Sequence, residues 1–246
     1  MQLFGLIGYP LTHSFSKKYF TEKFEQEGLH DYQYENFPIA SIDELPALIT
    51  KNPNLKGLNV TIPYKQAVIE YLTERSDIVK TIEACNCIAL YKGQLIGYNT
   101  DTIGFEKTLT PHLRTAHRKA LILGTGGAAK AVEFVLTKLG INWKYVSRKP
   151  SVQQYSYEQL TPAVIKEHLL IINTTPLGMY PNIIQAPPIP YEALTPGHLM
   201  FDLIYNPAKT LFLQKGEEKG AAIVNGQDML IIQAEESWKI WTEMNG

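Results

Sequence analysis

The stretch from Lys119 to Gly140, KALILGTGGAAKAVEFVLTKLG, decides the fold of half the chain. Ala120 to Leu123 form a short apolar run suited to a buried strand, and an amphipathic helical pattern follows the glycines until Gly140 closes it. Between them Gly124, Gly126 and Ala129 satisfy G-x-G-x-x-[GA]. Glycine there permits a tight turn and lets a pyrophosphate approach the N-terminus of the helix, where backbone N–H groups lack partners. The motif alone is weak evidence, because a tight turn without a ligand has the same pattern; the strand before it and the helix after it favour a nucleotide. Lys130 is followed by alanine, which excludes a P-loop. Gly124, Gly126, Gly127 and Ala128 are therefore candidate cofactor-binding positions.

The next strand pattern, NWKYVS, runs into Ser147, Arg148 and Lys149. In such a unit an acidic residue about 20 positions beyond the glycines holds the ribose 2'-hydroxyl of NAD, whereas an arginine suits the 2'-phosphate of NADP. No Asp or Glu lies near this strand end. An exposed basic pair is ordinary on a protein surface, but its place after the second strand points to NADP(H).

Upstream, MQLFGLIGY reads as a strand stopped by Pro10, Phe15 to Gly28 as a helix, YQYENFPI as a strand, and SIDELPALITK as a helix opened by a Ser41/Glu44 capping box. LKGLNVTI is the next strand and KQAVIEYLT the next helix. This alternation predicts a parallel α/β layer. CIALYKGQLIGYNTD reads as a hairpin turning at Lys92 and Gly93. TIGFEKTLTPHL begins a helix that fails near Pro111, and RTAHRK reads as a linker, which places a domain boundary near residues 102 to 118.

With 246 residues, 45% hydrophobic and 19% charged, the chain has the composition of a soluble protein of one large or two modest domains. A formal net charge of −1 supplies no global attraction to nucleic acid or to an anionic membrane, so a small molecule is the expected partner. The two cysteines, Cys85 and Cys87, are too few for a disulfide scaffold or a zinc site, and the six histidines show no metal-binding spacing. No metal is expected. The N-terminal residues lack a signal-peptide pattern and no apolar run is long enough to span a bilayer, so a cytosolic protein is expected.

Local pattern leaves NVTIPYKQAV, Asn59 to Val68, unexplained: a strand ends, a proline breaks it, and Lys65 stands where a helix begins. As an isolated residue Lys65 would be a solvated surface charge. Asp101 would be a helix N-cap, and serines near Pro10 would be turn residues. His13 beside them reads as structural, and Trp238 and Trp241 as one buried helix face.

Taken together, SFS (Ser14 to Ser16), NVTIPYK (Asn59 to Lys65), NTD (Asn99 to Asp101), GTGGAAKA, NTTPLGM (Asn173 to Met179) and NGQDMLIIQA (Asn225 to Ala234) make the chain resemble the shikimate dehydrogenase family along nearly its whole length. The resemblance implies an α/β protein with a substrate-binding domain at residues 1–102 and about 227–246, a Rossmann NADP-binding domain at residues 103–226, and a last helix that returns to the first domain. It implies NADPH-dependent reduction of 3-dehydroshikimate to shikimate, in a cleft between the lobes, by a monomer or homodimer. It also implies Lys65 and Asp101 as the catalytic pair, with Ser14 and Ser16 on the substrate carboxylate. Thr61, Asn86 and Gln233 would bind ring hydroxyls and Tyr205 would lie near the carboxylate. Ser147, Arg148, Lys149, Asn173, Thr174, Gly226 and Met229 would meet the cofactor. The chain departs from the family pattern at Lys17, where proline is common, at Ser147-Arg148-Lys149, where Asn-Arg-Thr is usual, and at the cysteines flanking Asn86.

Those residue types suit the chemistry. A ketone reduction needs a hydride, which NADPH carries, and a proton at the oxygen, which a lysine can supply when its surroundings bring its pKa toward working pH. An aspartate beside it opposes that shift yet orients the ammonium, so the two are read as one coupled pair. Three rival readings share parts of the pattern: a relative acting also on quinate or with NAD, a non-catalytic metabolite sensor, and a methylene-tetrahydrofolate dehydrogenase, which fits the paired serines and QDMLIIQA poorly.

Overall fold

In the computed structural model, which describes residues 1–11 and 15–245, the chain divides into two units: Met1–Thr100 with Ala234–Gly246, and Asp101–Gln233. The first unit is built from β1 (Gln2–Gly8), α1 (Phe15–Gln26), β2 (Tyr32–Pro38), α2 (Leu45–Lys51), β3 (Leu55–Val60), β4 (Glu74–Arg75), α3 (Asp77–Ile82), β5 (Cys87–Tyr91) and β6 (Gln94–Tyr98). Its sheet has the order β2-β1-β3-β5-β6-β4. The β2-β1-β3 part is parallel, and β5 runs antiparallel to both β3 and β6.

Alternation along β1 sorts the core onto two faces. Leu3 and Ile7 join Leu58, Val60 and Ile88 on one face; Phe4 and Leu6 join Phe20, Phe24 and Trp241 on the other. The β5–β6 hairpin turns at Lys92 (φ 48°) and Gly93 (φ 78°), two left-handed residues whose twist matches paired antiparallel strands. The capping box forms as expected: Ser41 N–H donates to Glu44 Oε1 (3.0 Å), and it opens a 3-10 turn at Ile42–Glu44 that leads into α2.

One expected helix changes type. KQAVIEYLT forms a 3-10 helix only at Ala67–Tyr71. The Lys65 carbonyl accepts Cys85 N–H (2.7 Å), and Ile69 N–H bonds the Gln66 carbonyl (3.1 Å), an i−3 bond. A nonlocal partner thus takes the carbonyl that would have bonded Ile69 in an α-helical turn.

The second unit contains α4 (Asp101–Leu109), β7 (Lys119–Leu123), α5 (Gly127–Lys138), β8 (Asn142–Val146), α6 (Pro162–Glu167), β9 (Leu170–Asn173), β10 (Leu199–Asp202), α7 (Leu211–Glu217) and β11 (Ala222–Val224). The last helix, α8 (Gln227–Asn245), contributes its first residues to this unit and those from Ala234 to the other. The sheet is wholly parallel in the order β11-β10-β9-β7-β8. Ala120 and Ile122 face a core with Phe105, Val132 and Phe201, while Leu121 and Leu123 face one with Ile165, Phe212 and Leu213. Helices on both faces explain why these strands are almost continuously apolar.

Because β8 and β9 lie on opposite sides of β7, the strand order reverses at β7, and ligands of open α/β sheets bind outside the carboxyl ends at such a point. None of the described helices is long and apolar enough to cross a membrane.

Candidate active site

In the first unit, one end of the sheet gathers the polar residues. Thr61 follows β3 and donates its N–H to the Ile7 carbonyl (3.0 Å). A Cβ at Gly8 would come within 2.5 Å of Thr61 Cγ2, so the glycine permits this close approach. Lys65, half-buried, follows four residues on, after a cis Ile62–Pro63 bond.

Asn86 precedes β5 and is buried. Its Oδ1 accepts Thr100 N–H (2.7 Å) and its Nδ2 donates to Thr100 Oγ1 (3.0 Å). Ser16, also buried, lies in the first turn of α1 and hydrogen-bonds the Tyr34 hydroxyl, whose pKa burial pushes well up. Ser14 and His13 lie outside the described residues.

Two further groups here escaped the sequence reading. Asn59 Oδ1 accepts from Tyr34 (2.8 Å), and Asn59 Nδ2 donates to Ser237 Oγ (3.0 Å) on α8. A polar residue inside the apolar strand LKGLNV was the available signal, because a buried amide requires partners. Ser237 gave no signal, since its partners are distant in sequence. The neighbouring Cys87 thiol is pushed up by burial, which makes it inert as a nucleophile.

In the second unit, Asp101 is the first residue of α4 rather than the cap before it. The residue is 6% exposed and lies in the first helical turn. Gly104 lets α4 approach α8: a Cβ there would lie 2.7 Å from the Met229 carbonyl. Gln233 is buried, with Nε2 donating to the Leu230 carbonyl (3.0 Å).

The parallel strands bring the remaining positions to one sheet edge. Gly124 adopts φ +106° after β7 and donates N–H to the Val146 carbonyl (2.9 Å). Thr174, after β9, donates its hydroxyl to the Leu123 carbonyl (2.7 Å), so a Cβ at Gly124 would stand 2.8 Å from Thr174 Oγ1. Gly126 caps α5 without a side chain, and a Cβ there would meet nothing within 4 Å. Open space therefore lies over a helix start headed by Gly127 and Ala128.

Beyond β8, Ser147 N–H bonds the Tyr155 carbonyl (2.9 Å) and Ser147 Oγ accepts Lys149 N–H (3.2 Å), while Arg148 and Lys149 are exposed. Gly226 is packed so closely that a Cβ would lie 2.1 Å from the Leu203 carbonyl oxygen. Tyr205 is half-buried, and burial raises its hydroxyl pKa.

Two of the cofactor candidates have buried side chains. Asn173 is fully buried, with Nδ2 donating to Asp202 Oδ1 (3.0 Å) and Oδ1 accepting from Thr175 N–H (3.0 Å) and Oγ1 (2.6 Å). Met229 packs into the core with Phe105 and Leu109.

Residues 6–88 match the family model described as the shikimate dehydrogenase substrate binding domain. A shikimate dehydrogenase (NADP(+)) of Methanosphaera stadtmanae is 36% identical over 97% of this chain and 90% of its own length. The chain belongs to the shikimate dehydrogenase family. Two solved shikimate dehydrogenases share its architecture. One, in complex with NADP+, is 33% identical with a TM-score of 0.86 over 99% of this chain and 90% of that one. The other, from Thermus thermophilus in complex with NADP(H) and shikimate, is 28% identical with a TM-score of 0.86 over 99% of this chain and 94% of that one.

Proposed function

We propose that the chain is an NADP-dependent oxidoreductase that interconverts 3-dehydroshikimate and shikimate. Family membership over nearly the full length carries the reading. The first unit serves as the substrate domain and the second as the cofactor domain. NADPH supplies the hydride.

The second unit's geometry fits that cofactor. A left-handed Gly124 and an open helix start at Gly126 suit a pyrophosphate, and Arg148 at the end of β8, with no acid from Ser147 to Ser151, suits a 2'-phosphate. Ser147, Lys149 and Thr174 complete the polar edge. Asn173, its amide committed inward, acts by holding the Thr174–Thr175 turn, and Gly226 and Met229 shape the nicotinamide side.

Ser14 and Ser16 hold the substrate carboxylate, with Tyr205 near it, and Thr61, Asn86 and Gln233 bind ring hydroxyls. Lys65 and Asp101 handle the proton at the reacting oxygen. A spectrophotometric assay of purified protein with shikimate or quinate, and NADP or NAD, tests the reading. Turnover of shikimate with NADP is expected. A preference for NAD refutes the role of Arg148, comparable quinate turnover indicates the broader relative, and NADP binding without turnover indicates a sensor.

A further inference from the structure

Tyr34, Asn59, Thr100 and Ser237 are each at most 5% exposed, and they form one hydrogen-bonded chain inside the first unit that ends on Asn86. Its links are Tyr34 hydroxyl to Asn59 Oδ1 (2.8 Å), Asn59 Nδ2 to Ser237 Oγ (3.0 Å), and Ser237 Oγ to Thr100 Oγ1 (3.2 Å). The last links join Thr100 to the Asn86 amide: Thr100 N–H to Oδ1 (2.7 Å), Asn86 Nδ2 to Thr100 Oγ1 (3.0 Å), and a longer contact from Thr100 Oγ1 to Oδ1 (3.3 Å). Buried polar groups of this kind stabilise little by themselves, but a fully connected set fixes orientation.

The terminal link is directional. Thr100 N–H can only donate, so the Asn86 atom 2.7 Å from it must be the oxygen, and a flipped amide would set donor against donor. Asn86 Nδ2 donates to Thr100 Oγ1 (3.0 Å), and the Thr100 hydroxyl has both Asn86 Oδ1 (3.3 Å) and Ser237 Oγ (3.2 Å) within reach. Ser237, held by Asn59, faces that hydroxyl from α8.

We propose that Ser237 is a positioning residue: through Thr100 it fixes the Asn86 carboxamide in the orientation that binds a ring hydroxyl of the substrate. The proposal deepens the shikimate reading and rests on it. Ser237 acts on Asn86 from two hydrogen bonds away.

Ser237→Ala is the test. Loss of one oriented hydrogen bond, felt equally in the ground and transition states, should raise the shikimate KM about 3- to 10-fold, leave kcat within about twofold, and leave the NADP KM unchanged. In an Asn86→Ala background the same substitution should add nothing to KM, whereas a merely structural role would add its full effect. The side-chain amide NMR pair of Asn86, assigned by its loss in Asn86→Ala, should shift or broaden in Ser237→Ala.

An unchanged shikimate KM, additive effects in the cycle, or an unmoved amide pair would each overturn the proposal. If Ser237→Ala does not fold, Thr100→Val and Thr100→Ser carry the same test: the hydroxyl-keeping Ser variant should retain the wild-type KM and the Val variant should raise it. The opposite order overturns the proposal. Absence of shikimate turnover in the wild-type protein would remove the functional reading, while the amide resonances would still decide whether Ser237 orients Asn86.

Discussion

Replacing Asp202 by asparagine should remove a pH dependence of stability that burial builds into the second unit. The carboxyl is 0% exposed, and burial pushes it up from 3.8 to about 7. This happens even though Thr210 Oγ1 (2.5 Å), Asn173 Nδ2 (3.0 Å) and Ile204 N–H (3.1 Å) all donate to it. The folded chain therefore keeps this proton to higher pH than the unfolded chain does. The stability it confers is complete below about pH 4 and is lost as the pH rises through about 7. The rise from 3.8 to about 7, at about 1.36 kcal/mol per pH unit, amounts to about 4 kcal/mol, of which about 2 kcal/mol falls between about pH 5.5 and about pH 8.5.

Asp202→Asn preserves the shape: its oxygen can still accept from Asn173 and Ile204, and its NH2 can donate to Thr210. Urea unfolding of both proteins at the two pH values measures the difference, with hydrogen exchange in β9 and β10 locating it. The wild-type protein should lose about 2 kcal/mol more than the variant over that interval. Parallel pH profiles, agreeing within about 0.5 kcal/mol, would refute the reasoning that desolvation outweighs the three donors.

Gly57→Ala should destabilise the first unit by about 1–3 kcal/mol in urea unfolding, because a Cβ would lie 2.4 Å from Trp241 Nε1, which itself bonds the Ile88 carbonyl (2.9 Å). Gly126→Ala, with nothing within 4 Å of the added carbon, should leave stability unchanged yet raise the NADP KM, read from initial rates, since the methyl occupies the space a pyrophosphate needs. Lys65→Ala should lower kcat about 10²- to 10⁴-fold with a smaller change in KM; near-normal turnover would remove Lys65 from proton transfer.

Local signals were strongest where one short segment carries its own physical cause. Gly124 and the strand and helix around it were legible because a left-handed turn beside Thr174 leaves glycine few substitutes. The Ser41/Glu44 capping box and the Lys92-Gly93 hairpin were legible for the same reason. The 3-10 helix at Ala67–Tyr71 was not: its apolar spacing favours an α-helix, and the Cys85 N–H that takes the Lys65 carbonyl is remote in sequence.

The sequence by itself determined two α/β series and the glycine turn, because strand alternation, helical spacing and turn chemistry act over a few neighbouring residues, whereas the polar residues assigned to substrate came from the resemblance to the family. Only the tertiary structure decided how some of those residues are used. It turned the Asn173 amide inward to Asp202 and the Met229 side chain into the core, and it joined Tyr34, Asn59, Ser237 and Thr100 behind Asn86. The hydrogen bonds from Tyr34 to Asn86 link residues from five separate segments. A buried amide must find its partners wherever the fold brings them, and no local pattern encodes that place.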